Sequence, residues 1–122
     1  MFVFEKLDAW QTAIDFADLV YATTRAFPAE ERFGLTNQMR RAAVSVSSNL
    51  AEGSSRASRP DFARFVEIAA GSVFEVVSEV TVAHRQGYLA EPGYRDVYAS
   101  ALRQTRILSG LRSSLLRMPR KP

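Results

Sequence analysis

The chain has no cysteine and only one histidine, His84, in 122 residues. The first absence excludes disulfides, thiolate nucleophiles and cysteine-held metals, and it leaves the compartment open. The second leaves little for acid–base or metal chemistry. His84 follows Glu79 by five residues, so the Glu-x-x-His spacing of di-metal carboxylate bundles is missing. A Ser-His-Asp arrangement would have to borrow an imidazole that shares a helix face with Val73 and Val80, where a packed core or rim histidine is expected. Glycines are isolated as well: Gly34, Gly53, Gly71, Gly87, Gly93 and Gly110 never cluster into a phosphate-cradling loop. The expectation is a non-enzymatic protein with no cofactor and no metal.

Long apolar runs are also missing. Asp, Glu or Arg interrupts every apolar stretch well short of the roughly 18 residues that suggest a membrane helix. The opening Met1-Phe2-Val3-Phe4-Glu5-Lys6 lacks a basic stretch followed by an apolar run. A cytoplasmic protein without membrane contact is expected.

The third shortage is acid near the end of the chain. The formal net charge is only +3, but it is unevenly spread. Residues 1–34 carry three basic side chains against six acids, and residues 35–96 carry seven of each. Residues 97–122 hold Arg103, Arg106, Arg112, Arg117, Arg120 and Lys121 with no acid at all. Fourteen of the sixteen basic residues are arginine, whose planar fork suits phosphate or carboxylate; a high-GC genome would give the same bias.

What is present is apolar residue at helical spacing. At 47% hydrophobic content, the chain can build one core in one domain, residues 1–122. Gly and Pro divide it into four helices, expected at about 7–25, 36–53, 59–86 and 92–118. Leu7, Trp10, Ile14, Ala17 and Tyr21 step by three and four until Phe27-Pro28 ends the first helix. Thr36 can cap the second, which carries Met39, Ala42, Val46 and Leu50 up to Gly53. Ser58-Arg59-Pro60-Asp61 has the pattern of a capping box with proline in the first turn of the third. That helix should stop at a left-handed cap near Gly87, and the fourth should run from Glu91-Pro92 to Met118-Pro119, leaving Pro119 to Pro122 frayed. Short connections make an all-α, antiparallel up-down-up-down four-helix bundle the simplest packing.

Three surfaces are candidates for function. A helix with one core usually shows an apolar stripe a little over 100° wide, but here the first and third helices show arcs of about 180°. One includes Phe16 and Val20, and the other runs from Phe65 to Phe74. Such width fits either a fat monomer core or an oligomer interface that includes Phe16, Val20 and Phe74. On the fourth helix Arg95, Arg103, Arg106 and Arg117 fall within about 80° of one another. A row of this kind can neutralise successive phosphates, or it can be an ordinary solvated face. On the second helix Gln38, Arg41, Ser45, Asn49 and Glu52 form a polar face. This face is either a binding surface or a set of bonds across a helix interface, with Ala42, Ala43 and Ser47 allowing close approach and Glu75 or Glu79 as partners.

The run Phe27-Pro28, Glu31, Gly34-Leu35-Thr36, Gln38, Arg40-Arg41-Ala42-Ala43, Ser45, Asn49 and Ala51-Glu52-Gly53 resembles the bacterial four-helix-bundle family of proteins encoded within 23S rRNA intervening sequences. The accessory variability protein of diversity-generating retroelements looks like a relative. Leu7, Trp10, Ala13 and Tyr21 before that run, and Ala69, Gly71-Ser72, Glu75 and Gly87-Tyr88 after it, extend the likeness over most of the chain. Ser47-Ser48 and Leu50 depart conservatively from the small or proline and isoleucine residues expected there. The resemblance implies a homopentameric ring and, for some members, association with RNA, DNA or a ribonucleoprotein. The arginine row is not part of the motif. The function expected is thus a ring-forming accessory protein that contacts nucleic acid through its basic helix-four faces, with a protein-binding scaffold as the alternative.

Overall fold

The structure, a computed structural model, describes residues 1–117. The expected end of the last helix at Met118 and the fraying of Pro119 to Pro122 lie outside the described residues. Four helices follow a short 3-10 turn at Val3–Lys6: α1 (Asp8–Thr24), α2 (Leu35–Ser54), α3 (Arg59–Arg85) and α4 (Glu91–Leu116), with a second 3-10 turn at Ala29–Glu31 before α2. Among the described residues no strand is present, and no helix is long and apolar enough to cross a membrane.

Each boundary has a local cause. α1 ends as Thr24 Oγ1 bonds back to the Val20 carbonyl at 2.8 Å and Phe27 turns inward ahead of Pro28. α2 starts one residue before the threonine expected to cap it. Thr36 is buried in the first turn, and the Glu31 carboxylate accepts the Leu35 N–H at 3.1 Å instead. The Ala29–Glu31 turn carries that carboxylate to the positive end of the helix, where an anion is favoured. Ser58 caps α3 by accepting the Asp61 N–H at 3.1 Å, with Pro60 in the first turn. α3 ends at Gly87, whose φ of 80° lets the Tyr88 N–H reach the Ala83 carbonyl at 2.9 Å and the Gly87 N–H reach the His84 carbonyl at 3.0 Å. Both bonds satisfy carbonyls that the helix itself leaves open.

The helices form an antiparallel bundle in which each packs on its two neighbours, α1 on α2 and α4, and α3 on α2 and α4. Phe16, Met39, Leu50 and Leu108 lie at the centre with Val20, Val46, Val66, Val73, Val76, Val80 and Val97. Each such side chain contributes roughly 1.5–3 kcal/mol through burial. Gln104 is fully enclosed in this core, and its amide N–H bonds the Ala9 carbonyl at 3.1 Å, fixing the register of α4 on α1. Where α2 meets the start of α3 the backbones are very close. A Cβ on Gly53 would lie 2.7 Å from Phe65 Cβ, so only glycine fits there.

One expectation is corrected here. Phe16 and Val20 do not belong to an outer flank, because both are fully buried in the chain's own core. α1 lies between α2 and α4, so most of its broad apolar arc is buried within one molecule, with Tyr21 left exposed at 38%.

Candidate functional site

The outward side of α4 lies opposite its buried residues Val97, Ala101, Gln104 and Leu108. Helical spacing puts Arg95, Arg103 and Arg106 on that side, separated along the axis by roughly two turns and then by a little under one. Arg103 and Arg106 are exposed, and neither joins an ion pair among the described residues. Arg95 differs, since its Nε lies 3.0 Å from Glu91 Oε1 and its charge is locally matched. Arg117 also departs from the expected row. α4 stops at Leu116 and Arg117 has extended backbone, φ −68° and ψ 128°, so helical projection no longer sets its direction. The four-residue row therefore reduces to a free pair, with one neutralised arginine before it and one beyond the helix.

Beside this face the seam between α3 and α4 stays open. Two adjoining hollows of about 550 and 180 Å³ share Phe74 and Thr105. The larger is walled by Val66, Ala70 and Leu108, with Arg106 and Arg112 at its edge, and the smaller by Val77, Tyr98 and Leu102. Phe74 is 64% exposed, and Tyr98 and Leu102 are each 42% exposed. Of the three expected interface residues, only Phe74 faces outward. The Arg112 guanidinium bonds Glu67 across the seam, so its charge is matched too.

The polar face of α2 opens on the other seam, against α3. Ser45 reaches across to hydrogen-bond Ser72, but the remaining side chains do not bridge the helices. Asn49 donates to the Ser45 carbonyl of its own helix at 2.8 Å, and Glu52 pairs with Arg56 at 3.0 Å. Gln38 and Arg41 are exposed, and no ion pair joins Arg41 to Glu75 or Glu79. The expected set of interhelical bonds is thus one bond, Ser45 to Ser72. Glu79 is buried, its Oε1 has no hydrogen-bond partner, and burial with the nearby Glu75 charge pushes its carboxyl up to about 7.

At the α3–α4 turn His84 acts as a fastener. Nδ1 lies 3.1 Å from the Leu89 carbonyl, Nε2 lies 3.0 Å from Glu91 Oε2, and the ring stacks on Tyr94 at 4.7 Å. The Arg95 hydrogen bond, with His84 contributing, holds the Glu91 carboxyl below its ordinary range. Both imidazole nitrogens are therefore engaged in structure. Among the described residues no group of three His, Asp or Glu side chains converges as a metal site.

Some of this escaped sequence reasoning. Gln104 stands at core spacing between Ala101 and Leu108, a signal that was available. The bond from Tyr88 Oη to Glu31 Oε2 at 3.1 Å joins residues 57 apart, and no local pattern announces it. That bond and the Glu31 charge raise the Tyr88 pKa above its ordinary value.

The sequence model of the family described as 23S rRNA-intervening sequence protein matches residues 5–110. No curated protein matches the chain. Among solved structures, a protein of unknown function from the S23 ribosomal protein family of Bacteroides thetaiotaomicron is similar, with a TM-score of 0.77 and 19% identity over 86% of this chain and 95% of that one. At that identity the likeness concerns the bundle fold alone.

Proposed function

The chain belongs to the 23S rRNA-intervening sequence protein family, and from that premise we propose that it is a non-enzymatic accessory protein that assembles with copies of itself and associates with RNA. The observation that carries this reading is the outward side of α4. There Arg103 and Arg106 lie exposed and without acidic partners, next to the open apolar seam at Phe74. Free guanidinium groups bind phosphate by releasing condensed counterions. An exposed Phe with Tyr98 and Leu102 beside it suits burial against a second copy. Arg106 stands at the edge of that seam, so a ring built through it brings the basic faces of neighbouring copies together and concentrates positive potential.

The test is a titration of a single-stranded RNA oligonucleotide from about 50 to 200 mM salt, with an equal-length DNA in parallel. Affinity for RNA should fall steeply, with a log–log slope of about −0.7 per phosphate neutralised. Replacing Arg103 and Arg106 together by Glu should weaken binding at least about tenfold at the lowest salt. No binding at any salt would overturn the RNA reading, and partners that survive nuclease treatment would favour a protein-binding scaffold. Light scattering reads the number of copies, with five expected from the family resemblance. Phe74→Glu should shift the mass to one chain, and a wild-type monomer at micromolar concentration would rule out self-assembly.

A further inference from the structure

The chain carries an exposed apolar projection that its own core does not use. Met1, Phe2 and Val3 are 87%, 71% and 74% exposed, at the start of the first 3-10 turn. The projection is nonetheless held in place. Phe2 donates its N–H to Glu5 Oε1 at 2.9 Å, and its carbonyl accepts the Glu5 N–H at 3.2 Å. Its ring stacks on Phe4 at 5.7 Å, and Phe4 in turn leans on Trp10 at 5.1 Å. Three adjacent apolar side chains fixed in water suit burial against another surface.

The surface that fits them is the larger hollow of the α3–α4 seam, about 550 Å³ and walled by Val66, Ala70, Phe74 and Leu108. A cavity of roughly 150 Å³ is enough to hold a benzene ring, so Phe2 enters with room for a neighbouring side chain. Projection and hollow cannot meet within one chain. Among the described residues the Val3–Lys6 turn touches only α1 and α2, while the hollow lies between α3 and α4, on the opposite edge of the bundle. They do stand at one level. The bond from the Gln104 amide to the Ala9 carbonyl sets residue 104 beside residue 9, and α4 runs antiparallel to α1. Thr105, Arg106 and Ser109 of the hollow are therefore level with the start of α1, where the projection is. The charges are opposed as well. Asp8 and Arg106 are both exposed, and neither joins an ion pair among the described residues. Residues 1–34 hold six acids against three bases, whereas residues 97–122 hold no acid.

We infer that the Met1–Val3 segment of one copy seats in the α3–α4 hollow of the next, with the Phe2 ring against Phe74 and Asp8 toward the Arg106 edge. The inference rests on the self-assembly reading and names the surface that meets the seam. A knob and a hollow on opposite edges join copies head to tail, which builds either a ring or an open filament. Because the two stand at one level, successive copies meet without an axial step, and the contacts close into a ring. Arg103 lines neither hollow and stays outside the contact, open to phosphate.

The test is light scattering of the full chain at micromolar concentration. Phe2→Glu should lower the mass to one chain with the helical circular dichroism unchanged, as Phe74→Glu should. An equimolar mixture of the two variants should then weigh two chains, because the intact Phe2 of one enters the intact hollow of the other and both remaining halves are spoiled. Phe2→Glu at the wild-type mass, with Phe74→Glu a single chain, overturns the inference and leaves the seam to another part of the second copy. A mixture that stays at one chain also overturns it. Phe74→Glu at the wild-type mass, or a wild type of one chain, removes the self-assembly reading along with it. Since the chain has no cysteine of its own, a double variant with Val3→Cys and Ser109→Cys gives a second readout. Mild oxidation should link chain to chain in a ladder on a non-reducing gel, and neither single variant should crosslink. No ladder, or a two-chain band from Ser109→Cys alone, overturns the head-to-tail contact.

Discussion

Phe65 and Phe74 stand on opposite flanks of the same helix and meet opposite fates. Phe65, on the α2 side, is 7% exposed, with the Arg56 and Arg64 guanidinium carbons 4.6 and 4.9 Å from its ring centroid. Phe74, on the α4 side, is 64% exposed above an open hollow. A small residue makes the difference. Gly53 lets α2 close on α3 at Phe65, whereas the α3–α4 seam is held near Arg112 and Glu67 and stays apart around Phe74. One side chain type can thus serve as core or as surface on a single helix, depending on how near the adjacent axis comes.

The largest break in this comparison is Phe65→Ala, which should cost about 3–5 kcal/mol in urea unfolding, while Phe74→Ala measured on the monomer should cost less than about 0.5 kcal/mol. Similar losses at the two positions would mean that the α3–α4 seam closes in solution. Next is Glu79→Gln. The Glu79 carboxyl titrates near 7 in the fold against 4.5 as its ordinary value, so the fold gains from protonated Glu79 below about 4.5 and loses that gain as pH rises through about 7. The variant should match wild type near pH 4.5 and exceed it by roughly 2–3 kcal/mol at pH 8. Urea midpoints at both pH values measure this, and a pH-independent difference would refute it.

Two glycine substitutions sharpen the contrast further. Gly53→Ala places a methyl 2.7 Å from Phe65 Cβ in the closed seam and should destabilise by about 2 kcal/mol through overpacking. Gly71→Ala meets nothing within 4 Å and should stabilise by up to about 1 kcal/mol through helix propensity. Thermal melts of both proteins read the signs directly. A destabilising Gly71→Ala would show that the outer face of α3 is covered in solution.

The four helices and their order were legible because their signals are local. Three-four apolar spacing, Ser58 ahead of Asp61, Pro60 in a first turn and Gly87 at a left-handed end each act within a few residues. Thr36 misled because the helix begins one residue before it, at Leu35, whose N–H the Glu31 carboxylate of the preceding turn accepts. The candidate surfaces were less legible. Helical projection brought Arg103 and Arg106 to one side, but it could not reveal that Arg95 is matched by Glu91 or that the helix ends before Arg117.

What the sequence by itself determined is therefore the all-α class, the turns and the polarity of each helix face, since hydrogen bonding and periodicity act along the chain. Only the tertiary structure decided that Phe16 and Val20 are core while Phe74 is surface, that the Gln104 amide N–H finds a carbonyl while the Glu79 carboxylate finds no partner and the Gln104 Oε1 is left without one, and that α2 closes on α3 at Gly53 while the α3–α4 seam stays open at Phe74. Burial depends on the distance between helix axes. That distance is set by the side chains of two helices at once, and no single stretch of sequence contains both.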